Sequence, residues 1–205
     1  MDGMHIGRDE AIEILVSVLA ISLTLSFSTS GLNLEPSLFI FHMAAFTITI
    51  GSGFVLHELA HKYYGIKYGA KARFKAWPTM LALALGLAIV PQIFGFRLPV
   101  FIAPGAVYIY AMRHISAKEN GIISLAGPAM NWLLAGIFFV IALAFPGNAI
   151  IYTIARLGAM ANMGLAMFNL LPIFPLDGSK VLAWDFRIWI AAFGFSLIGA
   201  GALGF

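Results

Sequence analysis

The residues with the clearest chemical potential lie in the stretch GFVLHELAH, residues 53–61. On a helix, His57 and His61 project from the same side, so that their ring nitrogens can share one metal ion. Glu58 lies roughly a third of a turn from His57. From there its carboxylate can act as a base at an open coordination position without ligating the metal. The HExxH pattern therefore indicates two metal ligands and a general base.

Zinc is the metal that fits this pattern best, because catalytic zinc sites combine imidazole, carboxylate and water. A third protein ligand is required. Apart from Glu58, the acidic residues lie in the N-terminal tail, in loops or at the entry of an apolar run, with the exception of Asp177 in FNLLPIFPLDGSK. Pro172 and Pro175 interrupt helical hydrogen bonding before Asp177, and Gly178 permits a tight turn beside it. We therefore expect a broken backbone that presents Asp177 to the two histidines.

The composition is that of a membrane protein. The chain is 61% hydrophobic and only 10% charged, whereas about a quarter of the residues are charged in ordinary soluble domains. Its basic residues cluster in short loops beside apolar runs, which is typical of topology signals, so no nucleic-acid partner is expected. The absence of cysteine excludes disulfides and thiolate metal ligands.

Five apolar runs approach the roughly 20 residues that are needed to cross a hydrocarbon core. The predicted spans are residues 11–30, 38–64, 121–145, 149–171 and 188–205. The first is interpreted as a retained span and not as a cleaved signal peptide. We expect one integral-membrane domain over residues 1–205, with no separate soluble domain.

The apolar stretch at residues 78–117 allows two interpretations: it crosses the membrane twice, or it enters and returns on the same side. Within it, residues 100–103 and 107–110 are β-prone arms on either side of Pro104-Gly105, which predicts a β-hairpin. Open strand edges are not viable in lipid, so this hairpin must be shielded or lie at the interface. The predicted fold class is thus an all-α multi-span membrane protein with about five to seven membrane segments and a small membrane-associated β-hairpin.

Basic residues predict the orientation of the spans in the cell membrane. The segment after the second span contains Lys62, Lys67, Lys71, Arg73 and Lys75, and is therefore expected on the cytoplasmic side. The connections at 31–36 and 146–148 contain no lysine or arginine, which fits the opposite side. The N-terminus and the active-site end of the spans are consequently predicted to be cytoplasmic.

HELAH in one span and NLLPIFPLDG in a later one resemble the paired signatures of the site-2 protease family, the intramembrane zinc metalloproteases. The resemblance covers about residues 38–180. It implies that His57, His61 and Asp177 bind zinc and that Glu58 is the general base. That family also has an asparagine eight residues before the aspartate, near bound substrate, and Asn169 occupies this position.

A further element, AGPAMN at residues 126–131, resembles the Gly-Pro element of that family and contains Asn131. We interpret Asn131, like Asn169, as a substrate-binding residue. The resemblance implies a zinc endopeptidase that cleaves a transmembrane segment of another membrane protein. A helical substrate must unwind locally to expose a carbonyl, and an edge of the predicted hairpin could receive it as an added strand.

Two other functions are compatible with the same residues. A metal-ion transporter could use His57, His61 and Asp177 as a transit site, although it would not need Glu58 beside them and would favour inverted repeats. The chain could also be an inactive binding protein of this fold. Such a protein would not need the full set of His57, Glu58, His61 and Asp177. The sequence does not predict the oligomeric state.

The orientation can be tested by single cysteines, because the chain contains none. Cysteines at Lys67 and Ser179 should react with a membrane-impermeant maleimide only from the cytoplasmic side, and one at Asn148 only from the opposite side. Intact and inverted membrane vesicles provide the two sides. Labelling of positions 67 and 179 from opposite sides would contradict the predicted topology.

Overall fold

The computed structural model describes residues 4–32, 35–96 and 104–204. These residues form two compact units, which we describe separately. The first unit comprises Met1–His5, Leu56–Ala72 and Ile109–Phe205, and the second comprises Ile6–Val55 and Arg73–Tyr108. The predicted treatment of residues 1–205 as one domain stays a prediction.

Within the described residues, five helices are long and apolar enough to cross a membrane, which confirms the predicted fold class. Each coincides with one of the predicted spans. They are Arg8–Ser30 (α1), the continuous helix Pro36–Lys67, Ala117–Ala144 (α5), Ala149–Asn169 (α6) and Phe186–Leu203 (α8). Two shorter helices, Pro78–Ile93 (α4) and Asp177–Trp184 (α7), complete the helical part of the described chain.

The second span consists of three consecutive segments: Pro36–Phe46 (α2), a π-helical turn at Thr47–Gly51, and Ser52–Lys67 (α3). Its start is well defined, because Pro36 lies at the beginning of the helix and the Glu35 carboxylate accepts hydrogen bonds from the first backbone N–H groups. The π-helical turn changes the helical register before α3. The span therefore presents the HELAH residues from its final α-helical segment.

One arm of the predicted hairpin is a strand in the structure, with a partner that comes from earlier in the chain. Gly105–Ala111 is a strand (β2) that includes the expected arm at 107–110, but its partner is Ala70–Ala76 (β1) in an antiparallel two-stranded sheet. The other expected arm, residues 100–103, lies outside the described residues. β1 occupies the basic segment that the charge pattern treated as a loop, and α4 connects the two strands. The sequence did not suggest β1 as a partner, because alternation within KARFK is masked by its charges.

One edge of β1 is occupied by side chains of α1. The N–H groups of Phe74 and Ala76, two residues apart, point to the same edge of the strand. The Phe74 N–H donates to Glu10 Oε1 at 3.0 Å, and the Ala76 N–H donates to Glu13 Oε2 at 2.8 Å. Two carboxylates on one face of α1 therefore accept the backbone N–H bonds that a neighbouring strand would otherwise accept at this edge.

The second unit has a small apolar core beneath this sheet. Phe74 is 1% exposed and meets Phe54 edge-to-face, with 5.5 Å between the ring centroids. Val18 and Ile21 of α1 complete the buried cluster. Side chains from the strand and from two helices thus share one buried cluster in the second unit.

In the first unit, α5 and α6 are antiparallel neighbours that approach closely at Gly158, where an added Cβ would lie 2.5 Å from the Phe138 ring. A capping box of Ser116 and Glu119 begins α5. The Asp185 carboxylate accepts N–H bonds at the start of α8. These caps and close contacts define the ends and the packing of helices in the first unit.

Replacement of Phe74 by alanine should destabilise the protein by about 3–5 kcal/mol, because a large cavity would replace the ring. Phe186→Ala is the matched control, since Phe186 is 58% exposed. Unfolding of the purified variants in detergent, followed by circular dichroism, measures the difference. Equal losses for the two variants would contradict the role of Phe74 in the core.

Candidate metal centre

Helix α3 places the two histidines of HELAH one turn apart, and their rings meet at their tips. The Nε2 atoms of His57 and His61 are 2.9 Å apart. Both side chains are buried, with exposures of 5% and 8%. Their four-residue spacing thus brings both nitrogens to one point, as helical geometry requires.

Asp177 comes to the same point from a break in the chain. Helix α6 ends at Asn169, and residues 170–176 follow an irregular path before α7 begins at Asp177. Gly178 allows this path, because an added Cβ would collide with the backbone of Leu170 and Leu171. The prolines and glycine that predicted an unwound segment therefore mark the observed break.

The three donor atoms are close enough to hold one metal ion. Asp177 Oδ2 lies 3.0 Å from His61 Nε2 and 3.4 Å from His57 Nε2. Tetrahedral ligands placed 2.0–2.1 Å from zinc would be about 3.3 Å from one another. The observed separations fit that arrangement. The group consists of two imidazoles and one carboxylate, those of His57, His61 and Asp177.

The second ring nitrogen of each histidine has its own acceptor. His61 Nδ1 lies 2.7 Å from the Ile123 carbonyl oxygen, and His57 Nδ1 lies 2.6 Å from Asn131 Oδ1. A backbone carbonyl can only accept, so His61 carries its proton on Nδ1. This leaves His61 Nε2, which faces Asp177, as the nitrogen whose lone pair could ligate a metal ion.

Two further charged groups lie beside the ligands. Glu58 follows His57 on α3 and is 9% exposed. Lys180, one turn after Asp177 on α7, places its Nζ 3.7 Å from Asp177 Oδ1. The carboxylate oxygen that faces the histidines is thus Oδ2, whereas Oδ1 faces a cation.

The two predicted substrate-binding asparagines have different surroundings. Asn169 is the last residue of α6, and its Nδ2 donates to the Leu165 carbonyl at 2.9 Å. Asn131 is fully buried and is hydrogen-bonded to His57 and Asn162. Substrate binding by either residue stays a prediction, whereas the contact of Asn131 with His57 is a feature that the sequence did not suggest.

Comparison with known proteins places this centre in a family. The chain is 43% identical over 199 residues to a protein of Methanocaldococcus jannaschii named "Putative zinc metalloprotease MJ0611", and the match covers 97% of this chain and 96% of that protein. The chain belongs to this zinc metalloprotease family. The His57, His61 and Asp177 group, which could hold a metal ion, agrees with the word zinc in that relative's name.

More distant relatives have related names. "Zinc metalloprotease MJ0392" of the same organism is 28% identical over 129 residues, which are 62% of this chain and 30% of that protein. "Putative zinc metalloprotease Rip2" of Mycolicibacterium smegmatis is 34% identical over 140 residues, which are 62% of this chain and 51% of that protein. No protein-family model matches the chain. No solved structure matches it either.

Each of the variants His57→Ala, His61→Ala and Asp177→Ala should contain less zinc after purification than the wild type, because a site with three protein ligands loses one donor. His42→Ala is the control, since the ring of His42 is hydrogen-bonded to Ser30 and lies outside the ligand group. Metal content is measured by mass spectrometry after detergent purification. Full zinc stoichiometry in Asp177→Ala would exclude Asp177 as the third ligand.

Proposed function

We propose that this protein is an intramembrane zinc endopeptidase of the site-2 type, which hydrolyses a peptide bond within or near a transmembrane segment of another membrane protein. One observation carries the proposal: a buried His-His-Asp group whose histidines belong to a helix that is long and apolar enough to cross a membrane. Ionisable residues within membrane-spanning helices are rare and usually functional. Membership of a zinc metalloprotease family supports peptide hydrolysis as that function.

The proposed reaction divides the chemistry between the metal and Glu58. Zinc, when held by His57, His61 and Asp177, supplies a Lewis acid that polarises the scissile carbonyl and acidifies water. Glu58 is next to a ligand in sequence and is not a member of the ligand group, and we assign the proton transfer to its carboxylate. It takes a proton from the attacking water and later gives it to the leaving amine.

A membrane-embedded substrate is supported by the surroundings of the site. The ligands are no more than 8% exposed, and the apolar helices leave many large hydrophobic side chains on the outside of the protein, as expected in lipid. A substrate helix hides its carbonyls in internal hydrogen bonds, so it must unwind before it can be cleaved. Asn169, at the end of α6, is proposed to hold the unwound segment.

The proposed location follows from the charge pattern. We place the protein in the cell membrane with several spans, with its N-terminus and the metal-binding ends of the spans facing the cytoplasm. The lipid bilayer and a transmembrane protein substrate are then its partners. Cleavage from this side would release a cytoplasmic part of the substrate.

The exchange Glu58→Gln tests the proposed function, because it keeps the shape of the side chain but removes its ability to accept a proton. The variant should retain zinc, since both histidines and Asp177 remain. Its cleavage rate should fall by about a hundred- to ten-thousand-fold, the usual contribution of a general base. The assay incubates purified protein in detergent with a panel of single-span substrates, and zinc is measured on the same samples.

Glu35→Gln is the matched control, because Glu35 caps α2, lies outside the ligand group, and its glutamine replacement can still accept the hydrogen bond of the Leu38 N–H through its one side-chain oxygen. It should cleave at the wild-type rate. Equal cleavage by wild type and Glu58→Gln would show that Glu58 is not the base. Metal transport by the wild type without any peptide cleavage would instead support the transporter.

A further inference from the structure

One face of α5 lines the metal centre at intervals of four residues. Ile123 accepts a hydrogen bond from His61 through its carbonyl, and Asn131 accepts one from His57. Gly127 lies between them, one turn from each. We propose that this stripe of α5 builds the metal pocket: Gly127 supplies the space that the ion occupies, and Asn131 positions His57 through a hydrogen-bond chain that ends on Gly158.

The space at Gly127 is directly in front of the ligating nitrogens. A Cβ added there would lie 2.5 Å from the Nε2 atoms of both His57 and His61. Zinc bound by these atoms would be about 2.0–2.1 Å from each. A methyl group and a metal ion would therefore compete for the same volume, and glycine is the residue that leaves it open.

The hydrogen-bond chain determines the tautomer of His57. Asn162 Nδ2 donates to the Gly158 carbonyl at 2.9 Å, which leaves Asn162 Oδ1 to accept from Asn131 Nδ2 at 3.0 Å. Asn131 Oδ1 is then the acceptor that faces His57 Nδ1. Because the Gly158 carbonyl can only accept, each amide in the chain has one orientation, and the proton of His57 is held on Nδ1.

General helix packing would not produce this arrangement. At Gly121 and Gly158, an added Cβ would meet the hydrocarbon rings of Trp184 and Phe138, as in ordinary close helix contacts. At Gly127 the nearest atoms are instead two imidazole nitrogens. The asparagine pair likewise differs from simple interhelical contact, because one end of it is bonded to His57.

Gly127→Ala tests the space. Zinc affinity, measured by competition with a chelator, should fall by at least about tenfold. Gly136→Ala is the matched control on the same helix, because an added Cβ there meets nothing within 4 Å. It should bind zinc like the wild type. Thermal unfolding and gel filtration in detergent verify that both variants are folded.

Asn131→Ala tests the positioning of His57 by a second route, which also covers the case that Gly127→Ala fails to fold. Zinc should bind about 10- to 100-fold more weakly, the usual effect of losing the outer partner of a metal-binding histidine. Asn131→Asp keeps an acceptor oxygen toward His57 but loses the donor to Asn162, so its zinc affinity should lie between those of Asn131→Ala and the wild type. Asn162→Ala should weaken binding less than Asn131→Ala.

Ser196→Ala is the control for loss of a buried hydrogen bond, since Ser196 is fully buried but bonds to Trp132 and Ala192. Its unfolding temperature should fall without a change in zinc affinity. The proposal is overturned if Asn131→Ala weakens zinc no more than Ser196→Ala, or if folded Gly127→Ala binds zinc like Gly136→Ala. The readout is metal binding, so failure here is distinct from failure of the proposed proteolysis.

Discussion

The Asp177 carboxylate and the two imidazoles of HELAH hold one another in surroundings where an isolated charge would be very costly. Such a group is stable only if every lone pair and proton has a partner. Much of the first unit follows from this requirement. Helix α6 must stop before Asp177, Gly178 must let the chain approach its own backbone, and α5 must supply acceptors at the correct height for two ring nitrogens.

The convergence of His57, His61 and Asp177 on one point could be predicted from the sequence, because their positions follow from simple geometry. Two histidines four residues apart share a helical face, and few acidic residues other than Asp177 were available at the right depth. The outer partners could not be predicted in the same way. Ile123 contributes a backbone carbonyl, which any residue has, and Gly127 contributes the absence of a side chain. Only their four-residue spacing with Asn131 was visible in the sequence, and such spacing is common in any helix.

The spans were predicted well because long apolar runs have few alternatives in a membrane protein. The sheet was not, because a strand's partner depends on tertiary contacts as well as on local pattern. β1 is basic, and α4 separates it from β2, so a local hairpin was the simpler expectation. Glu10 and Glu13 posed a similar difficulty. As acidic residues near a span they suggest an interface, whereas in the structure their carboxylates accept the amide protons of β1.

The long separation of His61 and Asp177 along the chain has a consequence for the stability of the fold. His61 and Asp177 are 116 residues apart, and they belong to different segments of the same compact unit. A metal ion that joins them closes a long loop, as a disulfide would in a chain that had cysteines. It binds the folded state in preference to the unfolded one and so raises stability by mass action. In this cysteine-free protein a bound ion would therefore stabilise the fold in addition to its chemical role. Its removal would lower the free energy of unfolding of the unit that forms the site.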